Sequence, residues 1–594
     1  MAETKYLDWF DWAVFCGMLL LSSFIGVYFA FFSRKTQDTT SEYLMGGRTM
    51  SLFPISMSLI ASYISGITVL GIPAEVYIYG SQVFMVVVPE MLTNLTITVV
   101  YLPVFFKLQI TSSYEYLYRR FGSVVRLFGT CLFLIKMMLY IPIVIYVPAL
   151  AFSQVTGANL HLITPIVCVV CIFYTSLGGL KAVVWADTLQ MFLMMGGILI
   201  VLFIGIEKVG GLATVFERAE QTSRAEFFNT DVDITVRHTL WNIWIGSYFY
   251  GLATMAVNQA MVQRCLSVAT LREAKWAVFI LCIGIMTIVT LCALTGFVIH
   301  AYFFDCDPIK SKKINKPDQL LPYFVMETAT IMPGLPGIFL SGVFSAALST
   351  MSTGLNSMTG VIFEDIIQPF YGQMSDKAAS FTLKFVVVII GVLCVGMVFV
   401  VERLGTLLQM TKTLLGITNG PLLGLFTLGM FFPTSNHYGA MAGGVTSLCI
   451  MSWISLGAQT AISRGQITFP TKPVNVSGCK EFISDAASSP TLPTLLSFES
   501  TMESEALYIF RVSYQWYAAM GTCITIMVGL LVSHFTPTTE QVSKELLSPV
   551  IYGFLKRSRP VSEIKNLTED ANGVELTAAT QTPNEDKKGG GKWL

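Results

Sequence analysis

The sequence predicts an all-α protein that crosses a membrane about thirteen times. Three observations support this prediction: 54% of the 594 residues are hydrophobic, only 12% are charged, and the mean hydropathy is +0.65. Charged residues make up about 25% of an average soluble protein, so this composition is typical of a polytopic membrane protein instead. The net charge of zero gives no indication that nucleic acid or an anionic surface is a partner.

Each predicted span is a mostly apolar stretch near the roughly 20 residues that a helix needs to cross the hydrocarbon core. The first span follows an acidic and aromatic N-terminus, MAETKYLDWFDW, which lacks the basic start of a secretory signal peptide. We therefore expect this span to stay in the membrane. The thirteen spans are predicted at 9–32, 51–79, 83–107, 127–153, 161–177, 184–206, 238–263, 276–302, 336–362, 381–401, 406–431, 438–458 and 509–534.

The distribution of lysine and arginine predicts the orientation, because short cytoplasmic loops carry an excess of both. An N-terminus outside the cell places the basic loops in the cytoplasm and three long, less basic connections outside. An odd number of spans then leaves the C-terminus in the cytoplasm. In this arrangement Arg34, Lys35, Arg48, Arg119, Arg120, Arg126, Lys181, Arg264, Arg272 and Lys275 fall inside, and 207–237, 303–335 and 459–508 fall outside.

The outside connections and the C-terminal tail carry further signals. Asn475 begins an Asn-Val-Ser sequon in the last outside connection, where a glycan can be attached. Cys306 and Cys479 also lie outside, so a disulfide between them is compatible with this topology, although sequence alone cannot pair them. The tail at 536–594 is polar and is predicted to be largely disordered.

Two predicted spans contain helix breakers near their middle. Segment 51–79 is interrupted by glycine and proline and carries several hydroxyls, and segment 238–263 contains Gly246 and Gly251. In transporters, interrupted helices at matching positions of two halves free carbonyls for Na⁺ and amides for a substrate. The alternative is that these small residues only allow close helix packing.

A stripe of hydroxyls follows one face of the predicted span at 336–362. Ser341, Ser345, Ser349 and Ser352 have the i, i+4, i+8 and i+11 spacing of a helix face, and the stripe continues to residue 356. Hydroxyl and carbonyl oxygens suit a hard cation such as Na⁺ and avoid the cost of a buried charge. The alternative, hydrogen bonding to i−4 carbonyls and across helices, is equally compatible with the residue types.

Two acidic residues lie in or at the edge of predicted spans. Asp187 is near the cytoplasmic end of its span, and Glu90 follows Pro89 at greater depth. Intramembrane acids are functional candidates because a buried carboxylate is costly. The alternatives are an interfacial Asp187 tied to Lys181 or to a helix end, and a Glu90 that is hydrogen-bonded to a neighbouring helix.

Four strings in this order along the chain resemble the sodium/solute symporter family: YTSLGGLKAVVWADTLQ, VNQAMVQR, SAALSTMSTGLNS and NGPLLGLFTLGMFFP. The similarity covers about 1–535. The strings ASYISGITVLGIPAEVY and YVPALAFSQVTG are more similar to the animal branch of monocarboxylate, multivitamin and iodide symporters than to sugar symporters. Together these motifs are specific for the family and uninformative about the substrate.

The resemblance implies a LeuT-type core of two inverted five-helix repeats, with one helix before it and two after it. The implied division of the chain is an N-terminal helix and cytoplasmic loop at 1–50, the first repeat at 51–206, an extracellular loop at 207–237, the second repeat at 238–431, two C-terminal helices with a glycosylatable loop at 432–535, and a disordered cytoplasmic tail at 536–594.

The resemblance also implies one sodium site between the first and eighth core helices. Asp187 matches the acid that lies below this site on the ion-release path. Sodium is the only metal expected, and no organic cofactor is implied. By motif match, the sodium ligands are the carbonyls of Ala61, Ile64 and Ala346 and the hydroxyls of Ser349 and Thr350.

The implied substrate site lies between the broken helices, near the middle of the membrane. Gly251 stands where the branch has a large aromatic residue and Met255 replaces a tyrosine, so we expect a wider or less polar pocket. A buried Glu90 repels an anion unless it is protonated, which argues against simple monocarboxylate transport. The candidate substrate contacts are Tyr63, Ser65, Thr68, Glu90, Tyr146, Gly251 and Met255.

We therefore predict a sodium-coupled symporter that imports a small organic solute or anion, monocarboxylate- or vitamin-like, across the plasma membrane by alternating access. Two alternatives stay open: a sodium-permeable sensor or channel-like member of the same fold, and a symporter of a polyol, zwitterion or cation. Five scattered histidines and the lack of a P-loop or HExxH pattern argue against an enzyme. The expected partners are membrane lipid and a small-molecule substrate.

Overall fold

The computed structural model describes residues 7–32, 39–328, 334–372, 374–401, 407–479, 506–537 and 542–557. Within these ranges the chain is helical apart from loops and one isolated bridge between Met50 and Val268, which confirms the all-α prediction. The helices are α1 Trp9–Val27, α2 Thr40–Met45, α3 Leu52–Tyr63, α4 Gly66–Tyr79, α5 Val87–Thr96, α6 Leu102–Leu108, α7 Ser113–Phe121, α8 Ser123–Thr156, α9 Leu160–Val209, α10 Leu212–Gln221, α11 Leu240–Gly251, α12 Gln259–Cys265, α13 Leu271–Tyr302, α14 Leu320–Thr328, α15 Leu335–Ile362, α16 Gln368–Tyr371, α17 Asp376–Val401, α18 Leu407–Phe431, α19 His437–Ser463, α20 Tyr508–Arg511, α21 Tyr517–Phe535 and α22 Tyr552–Arg557.

The membrane spans agree with the predicted segments. In the described ranges, ten helical stretches are long and apolar enough to cross a bilayer, and α3 with α4 forms a bent pair that adds an eleventh. Helix α9 runs through two predicted spans, with Gly179 at φ 50° between them. Helices α11 and α12 cover the predicted span at 238–263. Every predicted segment therefore has a helical counterpart.

The first predicted interruption is present between α3 and α4. Helix α3 ends at Tyr63, Ile64 and Ser65 have extended backbone with ψ of 106° and 167°, and α4 begins at Gly66. The two helices meet at an angle of 53°. An extended residue at a helix end leaves nearby carbonyls without intrahelical partners, so this break places backbone oxygens inside the protein.

The second interruption lies several residues beyond the glycines. A π-helical turn at Leu252–Ala256 follows α11, and the helix breaks at Val257 and Asn258 before α12 begins. A side chain on Gly246 would collide with the Gln515 carbonyl, and a Cβ on Gly251 would lie 2.9 Å from Thr93. These two glycines therefore allow close packing of neighbouring segments. The prediction that they interrupt the helix is wrong, because the break lies at Val257 and Asn258.

Three long connections meet at one end of the molecule. Cys306 and Cys479 form a disulfide. The buried guanidinium of Arg224 donates to the Tyr77 carbonyl at 2.7 Å and to the Pro473 carbonyl at 2.8 Å. The connections predicted to lie outside thus share one surface. Asn475 is exposed there, and its glycosylation stays a prediction.

The C-terminal tail is more ordered than predicted. Leu546 and Leu547 are buried, and the Ser548 backbone N–H donates to the Met430 carbonyl at 3.0 Å. The Tyr116 hydroxyl donates to the Leu546 carbonyl at 3.0 Å. The prediction of disorder is therefore corrected for 542–557, because this stretch contains enough apolar side chains to dock. Residues 558–594 lie outside the described residues.

Candidate functional site

A cluster of oxygen atoms joins the end of α3 to the middle of α15. The Ser349 hydroxyl donates to the Ala61 carbonyl at 2.6 Å and lies 3.1 Å from the Ala346 carbonyl. The Thr350 hydroxyl lies 3.0 Å from the Ala346 carbonyl and 3.4 Å from the Ser62 carbonyl. Four of the five predicted sodium ligands therefore meet, and Ser62 adds a carbonyl that the sequence did not single out.

The fifth predicted ligand, Ile64, lies at the break itself. Its N–H still bonds to the Ile60 carbonyl at 3.0 Å. Its extended ψ of 106° turns its own carbonyl out of the helical ladder, as a backbone ligand at this position requires. The cluster with Ser349 and Thr350 consists of neutral hydroxyl and carbonyl oxygens, and this donor set suits Na⁺.

Below this cluster, Asp187 of α9 accepts hydrogen bonds from hydroxyls of two other helices. Ser58 and Ser62 of α3 donate to one carboxylate oxygen at 2.7 and 3.2 Å. Ser352 of α15 lies 3.4 Å from the other oxygen. Asp187 is fully buried, so these contacts replace the water that an exposed carboxylate would bind.

The cationic partner of Asp187 is Arg264. Its Nη2 lies 2.7 Å from the carboxylate, and both side chains are buried. Arg264 also donates to the Thr353 hydroxyl, which in turn lies 2.8 Å from the Ser62 hydroxyl. Arg264 was predicted in a cytoplasmic loop, but it lies in the last turn of α12 and is buried inside the protein.

The alternative pairing of Asp187 with Lys181 is wrong. The Lys181 ammonium lies 2.5 Å from the Glu42 carboxylate. The Asp187–Arg264 pair is therefore separate from the Lys181–Glu42 pair. Together with its hydroxyl partners, it joins four helices: α3, α9, α12 and α15.

A cavity of about 170 Å³ lies between the two broken helices and borders the oxygen cluster at Thr350. Four of the predicted substrate contacts line it: Tyr63, Ser65, Thr68 and Glu90. The Glu90 carboxylate accepts a hydrogen bond from Asn94 at 3.0 Å. Further polar side chains on the wall are Lys136, Tyr140, Ser247, Tyr250, Thr254, Asn258, Thr353 and Thr411.

The other three predicted substrate contacts do not line this cavity. Tyr146 lies toward the connection after α13, where its hydroxyl is 3.4 Å from the Lys316 ammonium. Gly251 packs on Thr93. Met255 is buried within the π-helical turn. These three residues lie outside the cavity wall, and their part in substrate binding stays a prediction.

Sequence reasoning missed several wall residues that had a detectable signal. Tyr250, Thr254 and Asn258 recur every four residues, which is the spacing of one helix face. Lys136 stands in the apolar stretch LFLIKMMLY. A lysine within a predicted span is a functional signal for the same reason as an acid, since both are costly to bury in the membrane.

The chain matches known proteins over most of its length. The sodium:solute symporter family matches residues 43–447. The chain is 39% identical to sodium-coupled monocarboxylate transporter 2 of Mus musculus over 534 residues, which are 90% of this chain and 85% of that protein. It is 35% identical to the sodium/iodide cotransporter of Homo sapiens, over 89% of this chain and 84% of that protein.

The fold is also similar to a solved structure. A Na⁺-coupled sialic acid symporter in a substrate-bound outward-open state aligns with a TM-score of 0.72 at 22% identity, over 90% of this chain and 100% of that chain. This likeness confirms the predicted LeuT-type fold. From the family match and the relatives, we conclude that this chain belongs to the sodium:solute symporter family and is a multi-pass, sodium-coupled transporter, not an enzyme.

Proposed function

We propose that this chain imports a small carboxylate together with sodium across the plasma membrane. The curated relative with 39% identity is a sodium-coupled monocarboxylate transporter, and the cavity between the broken helices is small. The observation that carries the proposal is the oxygen cluster of Ser349, Thr350, Ala61 and Ala346 at the edge of that cavity. An ion held there contacts both the broken helix and α15.

Sodium bound at this cluster affects transport through α3 and α15, the two helices that the cluster joins. Helix α3 also lines the cavity through Ser62 and Tyr63. An ion that binds both α3 and α15 favours the conformation in which these helices are close. The same conformation sets the position of the cavity wall, so sodium and substrate each stabilise the site of the other.

Ion release toward the cytoplasm passes Asp187 in this proposal. Ser352 and Thr353 lie one helical turn below the sodium cluster and contact Asp187 and Arg264. When α3 and α15 separate, the carbonyl and hydroxyl ligands part. The Asp187 carboxylate then attracts the leaving cation, while Arg264 keeps that carboxylate from being left as an unpaired buried charge.

The proposed orientation has the N-terminus outside and the C-terminus in the cytoplasm. Basic residues at the end opposite the disulfide support it, because short cytoplasmic loops are rich in Lys and Arg. Arg48, Arg120 and Lys181 lie at that end. The exposed Asn475 lies beside the disulfide and is the proposed glycan site.

A second candidate function is the symport of a solute other than a simple carboxylate. Glu90 favours it, because its carboxylate lines the cavity and accepts its side-chain hydrogen bond from Asn94 alone among the described residues. A charged Glu90 would attract a cationic or zwitterionic solute and repel an anion.

Uptake of radiolabelled solutes by cells that express the full chain tests the proposal. The panel contains short-chain carboxylates, vitamins, iodide, sugars and amines, each with sodium and with choline in its place. We expect sodium-dependent accumulation of a short-chain carboxylate. Equal accumulation in sodium-free medium would contradict symport. A sodium current without accumulation would indicate a sensor or channel-like protein.

A further inference from the structure

We propose that Lys136 binds the carboxylate of the substrate, and that Glu90 selects carboxylates that also carry a hydroxyl or amino donor. This inference deepens the proposed function and rests on it. Lys136 and Glu90 lie on different helices, α8 and α5, and both line the same cavity. One cationic and one acidic side chain therefore meet the same bound molecule.

Lys136 lies in the membrane interior. It is the fourteenth residue of α8, which begins at Ser123, so it stands about 20 Å along the helix axis from that end at 1.5 Å per residue. Its side chain is only 4% exposed. A lysine near a membrane surface can extend its ammonium to the headgroups, but the cavity is the surface that this side chain reaches.

No opposite charge neutralises Lys136 within the described residues. Its ammonium forms neither an ion pair nor a hydrogen bond with the described parts of the chain. Other buried cations do have acidic partners, such as Arg264 with Asp187 and Arg237 with Glu75 at 2.7 Å each. Burying an unpaired charge is costly. An anion that enters the cavity supplies the missing partner.

Glu90 is the acid on the same wall, yet it does not pair with Lys136. Its carboxylate accepts a hydrogen bond from Asn94, and no ion pair connects it to a described cation. Both side chains line the cavity of about 170 Å³, which has room for on the order of ten water molecules. In the proposal, one small molecule in this cavity contacts both groups.

The two charges define the ligand chemistry. The carboxylate of the ligand pairs with the Lys136 ammonium, and a charge-assisted pair of this kind is among the stronger hydrogen bonds in proteins. A hydroxyl or amino group on the same ligand donates to the Glu90 carboxylate. A carboxylate without such a donor leaves Glu90 buried with its hydrogen bond from Asn94 and no donor from the ligand. A site built to accept a hydrogen bond from its ligand discriminates strongly against that analogue.

The test compares the unaltered chain with Lys136→Gln and Glu90→Gln in sodium-dependent uptake. The probes are radiolabelled lactate, β-alanine and propionate, which share a carboxylate but differ in the donor. We expect the unaltered chain to prefer lactate or β-alanine over propionate at least tenfold. Lys136→Gln should raise the KM for all three probes at least tenfold, and Glu90→Gln should bring the preference close to one.

Several controls separate these effects from misfolding. Lys136→Arg keeps the charge and should restore part of the affinity. Lys275→Gln removes a lysine outside the cavity and should change neither KM nor preference. Surface biotinylation normalises the amount of carrier, and the sodium concentration for half-maximal uptake should stay within about twofold in Lys136→Gln.

The outcomes distinguish the assignment from the proposed function. If the unaltered chain takes up a probe with sodium and Lys136→Gln has the same KM, the assignment of Lys136 is wrong and carboxylate symport stands. An unchanged preference in Glu90→Gln overturns the role of Glu90 alone. If the unaltered chain accumulates none of the three probes, both the proposed function and this inference are contradicted.

Discussion

At the scale of the residue, the oxygen cluster at the end of α3 depends on two hydroxyls. Ser349 and Thr350 each contact carbonyls of both α3 and α15. A hydroxyl in this position can act both as a hydrogen-bond donor that ties the helices together and as a ligand for the ion. Both roles are lost when the oxygen is removed.

Ser349→Ala should therefore raise the sodium concentration for half-maximal uptake. Loss of one well-placed hydroxyl costs about 1–3 kcal/mol when its partners stay buried, which corresponds to roughly a fivefold to hundredfold change. Sodium-activation curves of uptake measure it. Ser357→Ala is the matched control, because the Ser357 hydroxyl, among the described residues, bonds back to the Thr353 carbonyl of its own helix. A curve equal to that of the unaltered chain would remove Ser349 from the site.

Helix periodicity singled out Ser349, and the resemblance to the family supplied the rest of a ligand set whose sodium binding stays a prediction. The structure does bring Ser349, Thr350, Ala61 and Ala346 together. The resemblance to the family also placed Met255 at the substrate, whereas Met255 is buried within the π-helical turn at Leu252–Ala256 and does not line the cavity. The extra residue in such a turn rotates the side chains that follow by about 100°, which a match of residue types does not reveal.

At the scale of the helices, the Asp187–Arg264 pair joins four helices, two of which, α3 and α15, separate in the proposed release of the ion. Asp187 belongs to α9 and Arg264 to α12, and their hydroxyl partners lie on α3 and α15. Both charges are buried. Removing one charge leaves the other buried without a partner, which is costly. Removing both charges avoids that cost.

Asp187→Asn or Arg264→Met should each lower the stability of the carrier by about 3–5 kcal/mol, and the double variant should recover part of the loss. Thermal unfolding of purified carrier in detergent measures the change, and the two single variants with the double variant form a mutant cycle. Glu42→Gln is the comparison, since the pair with Lys181 is more exposed and contributes less. Additive losses would show that the pair is not coupled.

The membrane spans could be predicted from the sequence, because a long apolar stretch is visible in the order of the residues alone. The positions of the helix breaks were harder to predict. Glycine marks positions where the chain can bend or pack closely, and Gly246 packs on Gln515 without a bend. The break at Val257 and Asn258 instead uses Asn258 as an N-cap for α12, with its side chain accepting from the Ala260 N–H at 3.2 Å.

At the scale of the whole molecule, the segment 542–557 connects the end of the chain to the transport core. Its Ser548 contacts the Val100 carbonyl at 3.2 Å and the Met430 carbonyl at 3.0 Å. These residues come from parts of the chain that are far apart in sequence. The composition of the whole tail is polar, although it includes the apolar residues Leu546 and Leu547. Composition alone therefore predicted disorder at these two residues as well.

Truncation before Val542 should destabilise the carrier, while truncation after Arg557 should not. Burial of a leucine contributes about 1.5–3 kcal/mol, and the longer deletion exposes the surface that Leu546 and Leu547 cover. The unfolding temperatures of the two truncated chains in detergent measure the difference. Equal temperatures would mean that this segment adds nothing to the stability of the core.

The disulfide between Cys306 and Cys479 also constrains how the chain is threaded through the bilayer. Two bonded cysteines are on the same face of the membrane, so the chain between them crosses an even number of times; four spans separate them in the described ranges. Stable disulfides form in the oxidising lumen of the secretory pathway, which becomes the cell exterior. The eight spans predicted before Cys306 are also an even number, so parity and redox chemistry together support an outside N-terminus without reference to any basic residue. They also imply that the bond closes only after all four intervening spans have been inserted.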